Sequence, residues 1–240
     1  MNILIIQLGS VCECLVSTSI VKGLWQKYKN PEISVIVADQ DASDVFRYNP
    51  HIKNIILWKD KHLLYNFQLI INLTPGANEF YIESPAKIGF GYSDNSKKCY
   101  EILYGNHKTK QNIFQVYYSL SGMKWHGEGY GIFYYPKNRS NNNRTGIKIS
   151  NIKLREHIIN RLNLAKSKIW NVPFNKKICK KIDAINTCQN LVTDDFLSMH
   201  IGIALRKYVY FLQTIPYGVK MEFFGKGETI EVPLKTLRWV

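Results

Sequence analysis

The chain opens on a mostly apolar run, Asn2 to Leu8, and turns at Gly9-Ser10 into a stretch whose apolar positions recur as Val11, Cys14, Leu15, Val21, Leu24, Trp25 and Tyr28. A near-continuous apolar run predicts a strand buried on both faces, and the spacing that follows predicts an amphipathic helix. The alternation continues. Ile33 to Ala38 predicts a second strand entered from Asn30-Pro31, Asp44 to Tyr48 a short helix, and Asn54 to Trp58 a third strand. His62 to Phe67 predicts another short helix and Gln68 to Leu73 a fourth strand. Strands that alternate with helices pair in parallel through crossovers, so the first part of the chain is expected to form a doubly wound α/β sheet.

From Pro136 to Thr145 no apolar residue occurs and turn formers dominate, which marks a linker. Beyond it the pattern restarts. Gly146 to Ser150, Ile169 to Val172, Leu191 to Thr193 and Tyr208 to Leu212 predict strands. Leu154 to Leu162, Lys176 to Ile185 and Phe196 to Leu205 predict the helices between them. The expected organisation is two Rossmann-like domains, residues 1–140 and an abridged 141–240, without repeats or heptads.

The formal net charge of +14 changes this picture, because it is concentrated. Lys97 to Lys181 holds 18 Lys and Arg against 3 acids, a net of +15. Such a region attracts phosphate-rich substrates, an anionic membrane face or nucleic acid, or is simply a solvated surface. A nucleic-acid role lacks any recognised motif with interleaved aromatics. The longest apolar runs, such as Ile55 to Trp58, fall far short of the roughly 20 residues that cross a bilayer, and the N-terminus lacks the basic start of a signal peptide. A cytoplasmic protein is expected. Five cysteines, an odd number without a C-x-x-C pair, fit free thiols in a reducing compartment. Cys12 and Cys14 point about 200° apart on a helix, so a metal site there is not expected.

Three places could carry chemistry. Leu8-Gly9-Ser10-Val11-Cys12-Glu13 lies where the first strand enters its helix, at the carboxyl end of a parallel sheet where ligands bind. Glu13 there can serve as a general base. The spacing Ser10-x-x-Glu13 also fits a capping box, in which Glu13 folds back on the Ser10 amide, and spacing alone favours that cap. The second place is Thr193-Asp194-Asp195-Phe196-Leu197-Ser198-Met199-His200. Asp194 or Asp195 can cap that helix, whose N-terminal amides can hold a diphosphate. His200, one turn on, fits either a core histidine or a ligand contact. The third is the turn Leu212-Gln213-Thr214-Ile215-Pro216, then Phe224-Gly225-Lys226-Gly227, which suits a loop near a nucleotide but is no P-loop.

These residues together resemble family 9 (heptosyltransferase-like) glycosyltransferases. "NILIIQLGSVCECLVSTSI" is similar to that family's opening strand followed by R-x-G-S-x-G-D, and "LVTDDFLSMHIGIALRKYVYFLQTIP" to its donor segment D-[ST]-x-x-M-H-x-A-x-A-L with the F-G-x-T-x-P turn. "FFGKGETI" resembles its Y-G-x-G segment. The resemblance implies a GT-B architecture and inverting transfer of a hexose or heptose from a nucleotide sugar to a glycan, glycolipid or glycoprotein acceptor. It implies neither metal nor cofactor. Glu13 takes the place of the catalytic aspartate, with Gly9, Ser10 and Cys12 in the acceptor-side loop. Asp195, Phe196, Met199, His200 and Thr214 fall on the donor side. The departures are Cys12 and Glu13 for the motif's glycine and aspartate, Phe196 for its hydroxyl residue, and Leu212-Gln213 for F-G. The lysine that meets the donor phosphates has candidates in Lys148 and Lys153. The departures leave a second reading, a non-catalytic nucleotide-sugar or glycan-binding relative that acts as a partner subunit. The basic region is expected to face an anionic acceptor or membrane.

Overall fold

A computed structural model describes residues 1–63, 66–77, 84–104, 112–137, 141–174, 177–213 and 227–231. The chain divides into two compact units, with the change from the first to the second between Tyr134 and Tyr135.

The first unit is built on five parallel strands: β1 (Asn2–Gln7), β2 (Glu32–Val37), β3 (Ile52–Leu57), β4 (Leu69–Asn72) and β5 (Lys87–Gly89). Their order is β3-β2-β1-β4-β5. Ile3, Leu4, Ile5 and Ile6 of the central strand are all at most 2% exposed. Each such side chain contributes about 1.5–3 kcal/mol through burial, which is why the run reads as apolar without alternation.

Helix α1 (Val11–Lys27) departs from the expected amphipathic helix, for its residues are buried without a break from Cys14 to Val21. The later segment lies on it through the Tyr118 hydroxyl, which donates to Ser19 O at 2.9 Å, and through Gly131 N, which donates to Thr18 Oγ1 at 2.9 Å. A Cβ at Gly131 would stand 2.7 Å from Thr18 O, so only glycine allows that approach. Ser17 and Thr18, buried here, donate to Cys14 O (2.8 Å) and Leu15 O (2.6 Å) within the helix, which removes the cost of burying hydroxyls.

Helix α2 (Gln40–Phe46) starts earlier than the expected Asp44 because Asp39 caps it, its side chain accepting from Ala42 N at 2.9 Å. A 3₁₀ helix (Trp58–Leu63) begins the segment expected as a helix from His62, and residues 64–65 of that segment lie outside the described residues. Three elements of this unit were not expected: β5, α3 (Ser96–Tyr104) and α4 (Ile113–Leu120). Gly89 ends β5 at φ 95°, and a Cβ there would fall 2.0 Å from Asn72 O. Only glycine fits.

The second unit has β6 (Asn141–Lys148), α5 (Ile152–Arg161), a 3₁₀ turn (Lys166–Lys168), β7 (Ile169–Asn171), α6 (Ile178–Asn186), β8 (Cys188–Thr193), α7 (Phe196–Ala204), β9 (Tyr208–Gln213) and β10 (Gly227–Glu231). All pairings are parallel, in the order β10-β9-β8-β6-β7. Strand β6 starts five residues before the expected Gly146, inside the stretch expected as a linker, and its pairing with β8 shifts register between Asn141 and Thr145. The core gathers Ile147, Ile149, Leu154, Ile158, Val192, Leu212 and Ile230.

Candidate functional site

In an open parallel sheet the ligand crevice lies beyond the carboxyl ends of the strands, where the strand order reverses. The first sheet reverses between β1 and β4, the second between β6 and β8. The first two sequence-predicted sites fall at these points, one in each unit.

In the first unit Gln7, 1% exposed, ends β1, and its Oε1 accepts from Gly9 N at 3.1 Å. Thr74, just past β4, ties the two strand ends together: Leu8 N donates to Thr74 Oγ1 at 2.7 Å, and that hydroxyl lies 3.4 Å from Gln7 Oε1. Glu13 is the third residue of α1. Its Oε2 accepts from both Ser10 N and Ser10 Oγ at 2.8 Å, while Glu13 N donates to Ser10 Oγ at 3.3 Å. The capping box is therefore complete. A Cβ at Gly9 would stand 2.7 Å from Glu13 Oε2, so glycine lets the carboxylate fold against the turn.

The other oxygen, Oε1, is available to a different partner. It accepts from the Tyr104 hydroxyl at 2.5 Å. Burial, and then the hydrogen bond to Glu13, push the Tyr104 pKa up, so its phenol is a neutral donor. Behind them, burial raises the Tyr117 pKa well above its ordinary value, with the Glu13 charge adding to it and Gln7 opposing it. Cys12 is half-buried in the first turn of α1. Cys14 is buried, its thiol pKa raised first by burial and then by Glu13, which makes it an inert thiol. Among the described residues no group of three or more His, Cys, Asp or Glu could hold a metal.

In the second unit Lys148 ends β6 and is 3% exposed. Its ammonium lies 2.7 Å from Asp195 Oδ2 and 3.0 Å from Ser198 Oγ, beneath the Phe174 ring at 5.5 Å. Asp195 caps α7, and the same Oδ2 accepts from Ser198 N at 2.9 Å. Burial alone would raise the Asp195 pKa, but the hydrogen bonds from Lys148 and Ser198 outweigh it and hold the carboxyl below its usual value. Asp194 does not cap: its Oδ2 accepts from Ser150 N at 3.0 Å, which ties the turn after β6 to the turn after β8. The result is a buried ammonium, ion-paired with Asp195, beside a helix N-terminus whose amide dipoles add partial positive charge. That combination suits an anion.

Phe196 opens α7, its ring 4.8 Å from that of Phe211. Met199 and His200 are 0% and 2% exposed. Burial lowers the His200 pKa to about 4, so its imidazole is neutral at pH 7. Lys153 lies on the exposed side of α5. Thr214 and Phe224 to Lys226 lie outside the described residues. Sequence reasoning missed Gln7, Thr74, Tyr104 and Ser198. Ser198 had a signal, the cap spacing Asp195-x-x-Ser198. Tyr104 had none, being 91 residues from Glu13.

Neither a protein-family model nor a curated protein matches the chain. Solved structures do. A family 9 glycosyl transferase from Veillonella parvula superposes with a TM-score of 0.71 at 13% identity, over 100% of this chain and 89% of its own. The Escherichia coli ADP-heptose LPS heptosyltransferase II gives 0.68 at 14%, over 96% and 90%. The E. coli heptosyltransferase WaaC, solved with ADP-2-deoxy-2-fluoro heptose, gives 0.66 at 9%, over 97% and 94%. The chain thus has the two-unit α/β fold of a family 9 glycosyltransferase and of heptosyltransferases.

Proposed function

We propose that the protein is a glycosyltransferase that moves a sugar, a hexose or heptose, from a nucleoside-diphosphate donor to a hydroxyl of a glycan acceptor, with inversion and without a metal. The observation that carries this reading is the Lys148–Asp195–Ser198 cluster at the second switch point, a buried ammonium at the mouth of a helix N-terminus. The solved relative WaaC holds ADP-2-deoxy-2-fluoro heptose, which supports a nucleotide sugar as donor.

Lys148 and the α7 amides stabilise the diphosphate as negative charge develops on it. Glu13 takes the proton of the acceptor hydroxyl. The acceptor oxygen bonds to the anomeric carbon, the bond from that carbon to the phosphate oxygen breaks, and the nucleoside diphosphate leaves with the electron pair. Gln7, Gly9 and Thr74 hold the turn that sets the Glu13 carboxylate, because a general base must lie within hydrogen-bond reach of the proton it removes.

Calorimetric titration of the whole chain with ADP, UDP and GDP tests the donor site. At least one is expected to bind, and Lys148→Met is expected to weaken it at least tenfold, while circular dichroism shows the variant still folded. If the folded wild-type protein binds none at millimolar concentration, the reading fails.

A further inference from the structure

The exposed face of α3 beside Glu13 remains unassigned. Tyr100 and Tyr104 are one turn apart, so they share a face of the helix. Their ring centroids lie 5.2 Å apart with planes tilted by 40°. Both rings are large and yet 49% and 46% exposed, whereas Cys99 and Ile102 of the same helix are buried. A pair of aromatic rings one turn apart can form merely to steady a helix. That accounts for the stacking but not for the Tyr104 hydroxyl, which reaches Glu13 Oε1 at 2.5 Å. One tip of this aromatic surface therefore ends on the carboxylate read above as the base.

The chemistry of the surface is specific. A tyrosine offers an apolar ring with a polar rim. A pyranose offers the complement, since one of its faces carries only C–H bonds and its hydroxyls project around the edge. Tyr104 gives its one proton to Glu13, which leaves the lone pairs of its oxygen to accept from an incoming hydroxyl. A ring laid on Tyr100 and Tyr104 would bring its rim hydroxyls to the Tyr104 oxygen and the Glu13 carboxylate together. A flat apolar ligand would gain from the rings but leave that carboxylate unused, and a peptide strand has no rim of hydroxyls to offer it.

We infer that Tyr100 and Tyr104 form the subsite that receives the acceptor's pyranose ring, with the hydroxyl to be glycosylated donating to Glu13 and a neighbouring ring hydroxyl donating to the Tyr104 oxygen. This rests on the glycosyltransferase reading and names its acceptor as a glycan whose reactive sugar has one apolar face. Tyr100 acts through ring contact alone, and Tyr104 through ring contact and its hydroxyl.

The test is saturation-transfer NMR on the full chain with methyl pyranosides of glucose, galactose and mannose as probes. Wild-type protein is expected to saturate the ring C–H protons of at least one of them. Tyr100→Ala is expected to reduce that signal at least threefold; its side chain is half exposed, so the variant retains its fold. Tyr104→Phe is expected to keep the ring-proton signal while weakening affinity. No saturation in folded wild-type protein, or an unchanged signal in Tyr100→Ala, overturns the inference. Titration with ADP on the same samples separates the two levels: nucleotide binding without pyranoside binding sinks this subsite and leaves the donor site standing.

Discussion

In the first crevice the capping carboxylate reaches back from the third residue of α1, whereas in the second it belongs to the cap residue of α7 itself. The difference changes what each oxygen can do. Asp195 uses one oxygen for both the Ser198 amide and the Lys148 ammonium, so its charge is matched at once. Glu13 uses one oxygen for the cap and presents the other to a half-exposed phenol, and among the described residues it makes no ion pair. The same topological position, with the same kind of helix start, thus yields a carboxylate without an ion pair among the described residues in one unit and an ion pair at a helix N-terminus in the other. The first suits taking a proton, the second holding a leaving anion.

The contrast is broken most strongly by removing the charge of Glu13. Glu13→Gln keeps the capping-box shape, because glutamine serves at the same position, but loses basicity. Transfer, followed as release of nucleoside diphosphate from its sugar donor in the presence of a glycan acceptor, is expected to fall about 10²–10⁴-fold. Thermal stability and nucleotide binding should stay near wild type. A variant that keeps its turnover would reduce Glu13 to a cap.

Acid separates the units next. His200 is neutral in the fold with a pKa of about 4, against 6.5 ordinarily. Below pH 6.5 the unfolded chain takes up a proton that the folded one refuses, so stability is whole above that pH and declines towards pH 4, by about 3 kcal/mol. Asp195 adds to the loss at lower pH still, because its depressed pKa makes its contribution vanish as pH falls through the folded value. In the first unit His51 shifts in the same direction, through burial and then Lys22, but from a partly exposed position. Hydrogen exchange followed from pH 7 to pH 4 should show the second unit opening first. His200→Gln should flatten that pH dependence, and an unchanged profile would remove His200 as its cause.

The smallest effect concerns the cap alone. Ser10→Ala removes one hydroxyl from the box and is expected to cost about 1 kcal/mol in urea denaturation. Because the Ser10 amide still donates to Glu13 Oε2, nucleotide binding in the other unit should not change. A change there would mean that the two crevices do not act separately.

Much of this was legible because it is local. The runs that became β1, β2 and β4 are apolar enough to be buried on both faces, and the starts of α1 and α7 announce themselves by residues three apart. Where the sequence was silent, distant partners decide the structure. Asn141 to Asn143 have poor strand propensity, yet they extend β6 along β8, an override by pairing of the kind common in sheets. Helix α4 was missed although Asn112 and Gln115 form a complete capping box. Glu13 and the Asp195 segment could be picked out, but the Tyr104 bond to Glu13 could not, because nothing within a chain window pairs residues from different elements.

Strand β7 has a consequence of another kind. It is three residues long, stands at the edge of its sheet, and exposes Trp170 and Asn171. An open edge is a template on which a second copy can add a strand. Here the guanidinium of Arg144 lies 5.8 Å from the Trp170 ring, Arg155 donates to Asn171 Oδ1 at 2.7 Å, and the exposed Lys166 and Lys168 precede the strand. Identical edges brought together would confront these positive charges with one another. The basic stretch therefore sets like charges along this edge, and the repulsion between two such edges would weaken as salt shortens the reach of exposed charges below about 8 Å.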